Sequence, residues 1–126
     1  MKKILLLLSS LLGSSALFAE SAPDVSPQQA AEMQSQQKAI IIDVRENDEW
    51  NSGHIAGAIH TPLGEISTRI SELVKYQNQP VITQCRSGGR SAKAADILTK
   101  AGFNSVHNMN GGLNAWQKAD LDIQQN

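Results

Sequence analysis

The chain has 126 residues, enough for one domain with a buried core, and its formal net charge is −1 at pH 7. Aromatic residues make up only 4% of it and no basic stripe is interleaved with them, so the composition argues against a nucleic-acid-binding protein. Its single cysteine excludes a disulfide within the chain.

The first 19 residues have the pattern of a secretory signal peptide. Lys2 and Lys3 form a basic start, and a leucine-rich run follows that is shorter than the roughly 20 residues of a spanning helix. We predict cleavage after Ala19, with an uncleaved anchor as the alternative. Residues 20–126 would then form one exported domain without a membrane segment. It keeps 9 basic and 12 acidic residues, a net charge of −3.

Helices and strands alternate along the rest of the chain. Ser26 and Pro27 are a typical N-cap and first residue of a helix, and the β-branched run around Ile41 is typical of a strand buried on both faces. In chain order we predict a polar leader over 20–26, a helix over 27–37, a strand over 39–44, a helical turn over 46–52, a strand over 58–60, a helix over 65–76, a strand over 81–84, a helix over 91–101, a strand over 105–107 and a last helix after residues 111–112.

The segment from Glu65 to Tyr76 has the clearest amphipathic pattern. Its apolar residues recur at helical spacing and predict one continuous buried face: Ile66, Ile70, Leu73 and Val74. The alternation of strands with helices predicts an α/β fold with a parallel sheet. Ligands of such sheets bind beyond the carboxyl ends of the strands, which is where Cys85 lies.

The loop from Cys85 to Ser91 predicts a reactive thiol. Its sequence is Cys-Arg-Ser-Gly-Gly-Arg-Ser, between a strand and a helix, and such a turn directs several backbone N–H groups into one concavity. These donors, with Arg86 and Arg90, favour the thiolate over the thiol. A lone cysteine is often an inert buried side chain, but these polar flanks do not build an apolar pocket. In an exported protein an odd cysteine is paired with another molecule or kept for its reactivity.

Other polar residues have structural explanations. Asp43 and Arg45 are interpreted as a polar pair at a strand end, and His54 as a hydrogen-bonded structural histidine rather than a proton donor. The three acidic residues of the helical turn, Glu46, Asp48 and Glu49, are expected to cap or charge it. The histidines are too scattered to form a metal site with Cys85, and we expect no metal or other cofactor.

Four segments in order resemble the rhodanese family of sulfurtransferases. They cover about residues 39–117 and are Asp43-Val44-Arg45-Glu46, Glu49-Trp50 with Gly53-His54-Ile55-Ala56-Gly57-Ala58 and Pro62, the loop Cys85 to Ser91, and Gly111-Gly112-Leu113-Asn114-Ala115-Trp116. In its single domain and its signal-peptide-like start, the chain is similar to small rhodaneses exported to the bacterial periplasm. The resemblance implies a three-layer fold with a central parallel sheet of about five strands flanked by helices.

The resemblance also implies a reaction. The Cys85 thiolate would take the outer sulfur of thiosulfate or a similar donor and pass it from a persulfide to cyanide, a thiol or a protein acceptor. Arg86 and Arg90 would orient the anionic donor, and backbone N–H groups would hold the persulfide. The substrate-binding residues are expected to be the rest of the loop, Arg86, Ser87, Gly88, Gly89, Arg90 and Ser91. We expect a monomer.

Three alternatives stay open. Cysteine-dependent phosphatases have five residues between the cysteine and the arginine of their loop, whereas four separate Cys85 from Arg90, and no carboxylate stands out as the required general acid. A sulfur or polysulfide carrier would share the loop but turn over poorly. A regulatory module would keep the fold without activity.

Overall fold

A parallel sheet of four strands forms the centre of the structure, a computed structural model that describes residues 21–125. Its strands are β1 (Ile40–Asp43), β2 (Ile59–His60), β3 (Val81–Gln84) and β4 (Val106–Asn108). They lie in the order β2-β1-β3-β4, all parallel. The carboxyl ends of all four strands therefore lie on the same side of the sheet. The direction in which successive strands are added reverses between β1 and β3. The predicted signal peptide, residues 1–19, lies outside the described residues.

Helices cover both faces of this sheet. They are α1 (Pro27–Gln36), α2 (Asn47–Ser52), α3 (Ile70–Leu73), α4 (Gly89–Lys100) and α5 (Gly112–Lys118), with 3₁₀ turns at Leu63–Glu65 and Val74–Tyr76. Successive strand residues point to opposite faces, so Ile42 packs towards α4 while Ile41 packs towards α1 and α5. Burying each such side chain contributes about 1.5–3 kcal/mol. The predicted three-layer α/β architecture is confirmed.

Local sequence explains where most elements begin. The Ser26 hydroxyl accepts from the N–H of Gln29 at 3.1 Å, and the Gln29 side chain accepts from the N–H of Ser26 at 2.8 Å, so α1 starts with a capping box. Gly88 has φ of +115°, a conformation that glycine adopts without strain, and it turns the chain from the Cys85 loop into α4.

The sheet has four strands in the described chain, not about five. The segment before α1 runs beside β4 where a fifth strand would lie, and Val25 makes a single parallel bridge with Met109. Pro23 has no N–H to donate, and the N-cap at Ser26 ends the extended segment, so no ladder develops. The predicted polar leader nevertheless packs on the domain, because Val25 is buried.

The continuous helix predicted over 65–76 is also wrong. Residues 67–69 form turns, and only α3 is α-helical there. The Thr68 hydroxyl donates to the carbonyl of Glu65 at 3.2 Å, a local bond that competes with helix formation. Leu73 is buried as expected, but Val74 is 44% exposed. Within residues 21–125 no helix combines the length and apolar character that crossing a membrane requires.

Candidate active site

Cys85 lies at the carboxyl end of β3, beside the point where the strand order reverses. The end of β1 is adjacent, since Asp43 pairs in register with Gln84. In parallel α/β sheets this position opens a crevice that binds ligands. The Cys85 side chain is 1% exposed, so the loop that follows it encloses the sulfur.

Hydrogen-bond donors surround the Cys85 sulfur. The backbone N–H of Gly88 donates to Sγ at 3.0 Å and that of Ser91 at 3.4 Å, while the Ser91 hydroxyl lies 3.3 Å away. Burial alone would raise the pKa of the thiol, but the hydrogen bonds from Ser91, Gly88 and Ser87 outweigh it, so the pKa is lowered. Neutral dipoles that are fixed by the turn therefore favour the thiolate.

Backbone N–H groups at the start of α5 hydrogen-bond to the carbonyl oxygens of the first two residues of this loop. The N–H of Leu113 donates to the carbonyl of Cys85 at 2.8 Å, and the N–H of Asn114 donates to that of Arg86 at 3.0 Å. The approach is close enough that a Cβ on Gly112, whose φ is +57°, would lie 2.5 Å from those carbonyl oxygens. Only glycine fits at residue 112 without displacing the loop.

A buried polar network fixes Ser91. Its hydroxyl lies 2.5 Å from Asn108 Oδ1 as well as 3.3 Å from Cys85 Sγ, so its single proton is available to either acceptor, and Asn108 Nδ2 donates to the carbonyl of Gly88 at 3.2 Å. The Thr83 hydroxyl donates to the Ser91 carbonyl at 2.9 Å. Asn108 ends β4, so a third strand contributes to the site. Sequence analysis missed this residue, although its place at a strand's carboxyl end was a usable signal.

Arg90 forms an ion pair with Glu49. Its two terminal nitrogens donate to the two carboxylate oxygens at 2.7 and 3.0 Å, a bidentate arrangement that links α4 to α2. The hydrogen bond from Arg90 lowers the pKa of Glu49 from 4.5 to about 2, and the pair raises the pKa of Arg90. Glu49 also accepts from the N–H of Glu46 at 3.0 Å, so the expected capping role is present. The guanidinium of Arg90 is therefore already paired with Glu49. Its predicted role in binding the sulfur donor stays a prediction.

The remaining loop residues differ in exposure. Arg86 and Ser87 are exposed, and Gly89 begins α4 with no atom within 4 Å of where a Cβ would stand. The Arg86 guanidinium has no hydrogen bond or ion pair with any residue between 21 and 125. It borders a cleft of about 420 Å³ beside the loop, which is lined by Arg45, Asp48, Glu49, Ser52, Gly53, Arg86, Leu113, Asn114, Gln117, Ile123 and Gln125.

Asp43 and Arg45 form the buried pair expected from the sequence. Arg45 Nη2 lies 2.7 Å from Asp43 Oδ2, and the same guanidinium donates to the carbonyl of Glu49 within α2 and to that of Gly53, which directly follows α2. His54 is buried, stacks on Trp50 with ring centroids 3.6 Å apart, and hydrogen-bonds the Trp50 carbonyl. These residues position α2 beside the loop.

No group of three or more His, Cys, Asp or Glu side chains within residues 21–125 is arranged to hold a metal ion.

The fold and the loop define a parallel α/β protein with a thiol poised at the end of its third strand. Comparison with known proteins is specific: the chain belongs to the rhodanese-like domain family, whose model matches residues 26–119. It is 35% identical over 103 residues to a protein of Haemophilus influenzae named thiosulfate sulfurtransferase GlpE, covering 82% of this chain and 95% of that one.

Two further similarities bear on the family. The chain is 37% identical over 99 residues to a Bacillus subtilis protein named putative sulfur carrier protein YrkF, covering 78% of this chain and 52% of that one, so it spans about half the length of that relative. The crystal structure of a rhodanese-related protein from Thermoplasma volcanium matches with a TM-score of 0.75 at 24% identity, over 83% of this chain and all of that one. This structural likeness supports the fold.

Proposed function

We propose that this chain is a sulfurtransferase that moves sulfane sulfur from thiosulfate or a similar donor to a thiophilic acceptor through a persulfide on Cys85. The observation that carries the proposal is the set of N–H donors around Sγ, which favours an anionic sulfur at that place. The relative named thiosulfate sulfurtransferase, of which this chain covers 95%, supports the same reaction.

The reaction consists of two displacements at sulfur. The Cys85 thiolate attacks the outer sulfur of thiosulfate; the new S–S bond forms as the old one breaks, and its electron pair leaves with sulfite. The acceptor, cyanide or a thiolate, then attacks the outer sulfur of the persulfide, and the electron pair of that S–S bond returns to Cys85 Sγ. The N–H groups of Gly88 and Ser91 hold negative charge in the thiolate and persulfide states alike, without reorganising.

The site geometry disfavours the phosphatase alternative. A phosphatase would need a free loop arginine for the phosphoryl oxygens and a protonated carboxyl group for the leaving group. Here Arg90 is bound by Glu49, and the pKa of Glu49 is lowered to about 2, so this carboxyl group has no proton to give near neutral pH. The carboxylate beside the loop therefore stabilises Arg90 instead of acting as an acid.

A sulfur carrier is the second candidate, because the Bacillus subtilis relative bears that name. It would load Cys85 from a donor and wait for a specific partner, so its turnover with small acceptors would be poor. For either activity, we propose that the protein is located in the periplasm. We also propose that it is a monomer. Fractionation of cells that express the full chain, with sequencing of the mature N-terminus, tests the location and the predicted cleavage after Ala19.

Mass spectrometry of the intact protein after incubation with thiosulfate tests the persulfide directly. We expect one added sulfur atom on the wild type and none on Cys85→Ser, with unchanged circular dichroism in the variant. Thiocyanate release on addition of cyanide then measures turnover. Loading with rapid turnover supports the enzyme, and loading without turnover supports the carrier. No loading by any sulfane sulfur donor would refute both.

A further inference from the structure

The Ser91 hydroxyl has one proton to donate and several acceptors around it. Asn108 Oδ1 is the nearest at 2.5 Å, the carbonyl oxygen of Gly88 lies at 3.2 Å and Cys85 Sγ at 3.3 Å. The Gly88 carbonyl already accepts from the N–H of Ala92 and from Asn108 Nδ2, each at 3.2 Å. The proton is therefore contested between Asn108 and the sulfur.

Both of these acceptors are buried. Asn108 is 8% exposed and Cys85 1%, so neither can turn to bulk water instead. The N–H groups of Gly88 and Ser91 also donate to Sγ, whereas within residues 21–125 no group other than the Ser91 hydroxyl donates to Asn108 Oδ1. A buried acceptor that loses its donor costs free energy, so the hydroxyl serves whichever acceptor needs the proton more.

The charge on Sγ decides that choice. In the thiol, the S–H group can donate to Ser91 Oγ while the hydroxyl donates to Asn108. In the thiolate, formed by loss of the thiol proton to solvent, Sγ is an anion, and hydrogen bonds to an ion are roughly twice as strong as neutral ones. The hydroxyl then turns to Sγ by rotation about Cβ–Oγ. In a persulfide the charge lies on the outer sulfur, and Sγ is again a weak, neutral acceptor.

We propose that Asn108 is a positioning residue of the sulfur transfer, which accepts the Ser91 hydroxyl whenever Cys85 Sγ is not an anion. The inference rests on the proposed persulfide function and extends it to a residue that acts through Ser91. When the thiolate attacks thiosulfate, the new S–S bond takes the charge off Sγ and the old bond pair leaves with sulfite. The hydroxyl loses its anionic partner at that moment, and Asn108 replaces it. Unloading returns the electron pair to Sγ, and the hydroxyl turns back.

The charged groups next to the thiol take no part in this exchange. They belong to the loop itself, to α2 and to the end of β1, and they are Arg86, Arg90, Glu49, Asp43 and Arg45. His107 neighbours Asn108 in β4 but points to the opposite face, where it hydrogen-bonds the carbonyl of Pro23. Replacing Asn108 by a neutral residue leaves all these groups in place.

A double-mutant cycle on the rate of sulfur loading tests the inference. The wild type, Asn108→Leu, Ser91→Ala and the double variant are mixed with thiosulfate, and loading is followed by intact mass. The pH is one at which Cys85 is ionised in all four proteins, judged by the ultraviolet absorbance of the thiolate, since the chain has one cysteine. Leucine is similar in size to asparagine but offers no acceptor.

We expect Asn108→Leu to slow loading about 3- to 10-fold more when Ser91 is present than when alanine replaces it, the size of one neutral hydrogen bond. Loss of the Asn108 bond to Gly88 affects both pairs of proteins alike and cancels. Equal slowing in both pairs would mean that Asn108 only supports Gly88, and would overturn the inference while the proposed function stands. Failure of the wild type to load from any sulfane sulfur donor would overturn both.

The exchange can also be followed in the wild type, without a variant that must fold. The side-chain amide resonances of Asn108 report whether its Oδ1 accepts a hydrogen bond. We expect them to differ between the thiol and thiolate forms of Cys85, and to return towards their thiol positions in the persulfide form. The side-chain amide of Gln79, which donates to the carbonyl of Lys38 away from the loop, is the reference and should not move. Asn108 resonances that stay constant, or that are the same in the persulfide as in the thiolate, would contradict the inference.

Discussion

The ion pair between Glu49 and Arg90 should stabilise the fold at neutral pH, and Glu49→Gln should remove that stabilisation. The pair joins α2 to the first turn of α4 across 41 positions of sequence. Glutamine keeps the length of the side chain and a hydrogen-bond acceptor but loses the charge. The variant therefore isolates the electrostatic contribution of the pair and leaves the packing of α2 largely unchanged.

The size of the effect follows from the pKa of Glu49. A fall from 4.5 to about 2 corresponds to about 3 kcal/mol at most. The Glu49 side chain is 25% exposed and that of Arg90 35%, so solvent screening reduces the expectation to about 1–2 kcal/mol at pH 7. Because the folded-state pKa is depressed, the stabilisation is complete above pH 4.5 and is lost as the pH falls towards 2.

Urea unfolding, followed by tryptophan fluorescence, measures this effect. At pH 7 and pH 5 we expect Glu49→Gln to lower the free energy of unfolding by about 1–2 kcal/mol, and by less at pH 3. Glu72→Gln is a matched control, since Glu72 pairs with Arg69 on the surface with a side chain 58% exposed, and it should cost less than about 0.5 kcal/mol. A cost for Glu49→Gln that equals the control, or that stays constant from pH 5 to pH 3, would refute the reasoning.

Two other substitutions test the contacts around the loop. Gly112→Ala should destabilise the protein by about 2 kcal/mol or more in the same urea assay, because its Cβ meets the carbonyl oxygens of Cys85 and Arg86, whereas Gly64→Ala, with nothing within 4 Å, should change stability by less than about 0.5 kcal/mol. Ser91→Ala should raise the pKa of the Cys85 thiol, seen as a shift of the iodoacetamide alkylation profile to higher pH with the fold intact; an unchanged profile would exclude the hydroxyl from thiolate stabilisation.

Sequence patterns located the elements whose causes are local. The strand over 81–84 and the helical turn before Gly53 were predicted because apolar runs, proline and glycine mark their ends. The helix over 65–76 failed for a physical reason. Its apolar spacing is helical, but the Thr68 hydroxyl forms a local hydrogen bond with the carbonyl of Glu65 that competes with the helix, so periodicity alone overestimated its length.

The loop itself was readable from the sequence because its N–H donors are contiguous with Cys85. Its supports were not, since each lies far along the chain. Asn108 reaches Ser91 from β4, the start of α5 reaches the Cys85 carbonyl, and Glu49 reaches Arg90 from α2. The sequence indicated that Glu49 caps α2, and that role is present. Its pairing with Arg90 depends on where the sheet order places α2, and no local sequence pattern encodes that position.

Neutralisation of Arg90 suits the proposed reaction, in which the thiol gains and releases sulfur in turn. A full positive charge free to contact Sγ would stabilise the thiolate strongly and so weaken it as a nucleophile, because nucleophilicity falls as the thiol pKa falls. The N–H groups of Gly88 and Ser91 provide a milder stabilisation of the thiolate, and the same donors would stabilise the proposed persulfide. With Arg90 committed to Glu49, the loop stabilises anionic sulfur mainly through neutral dipoles.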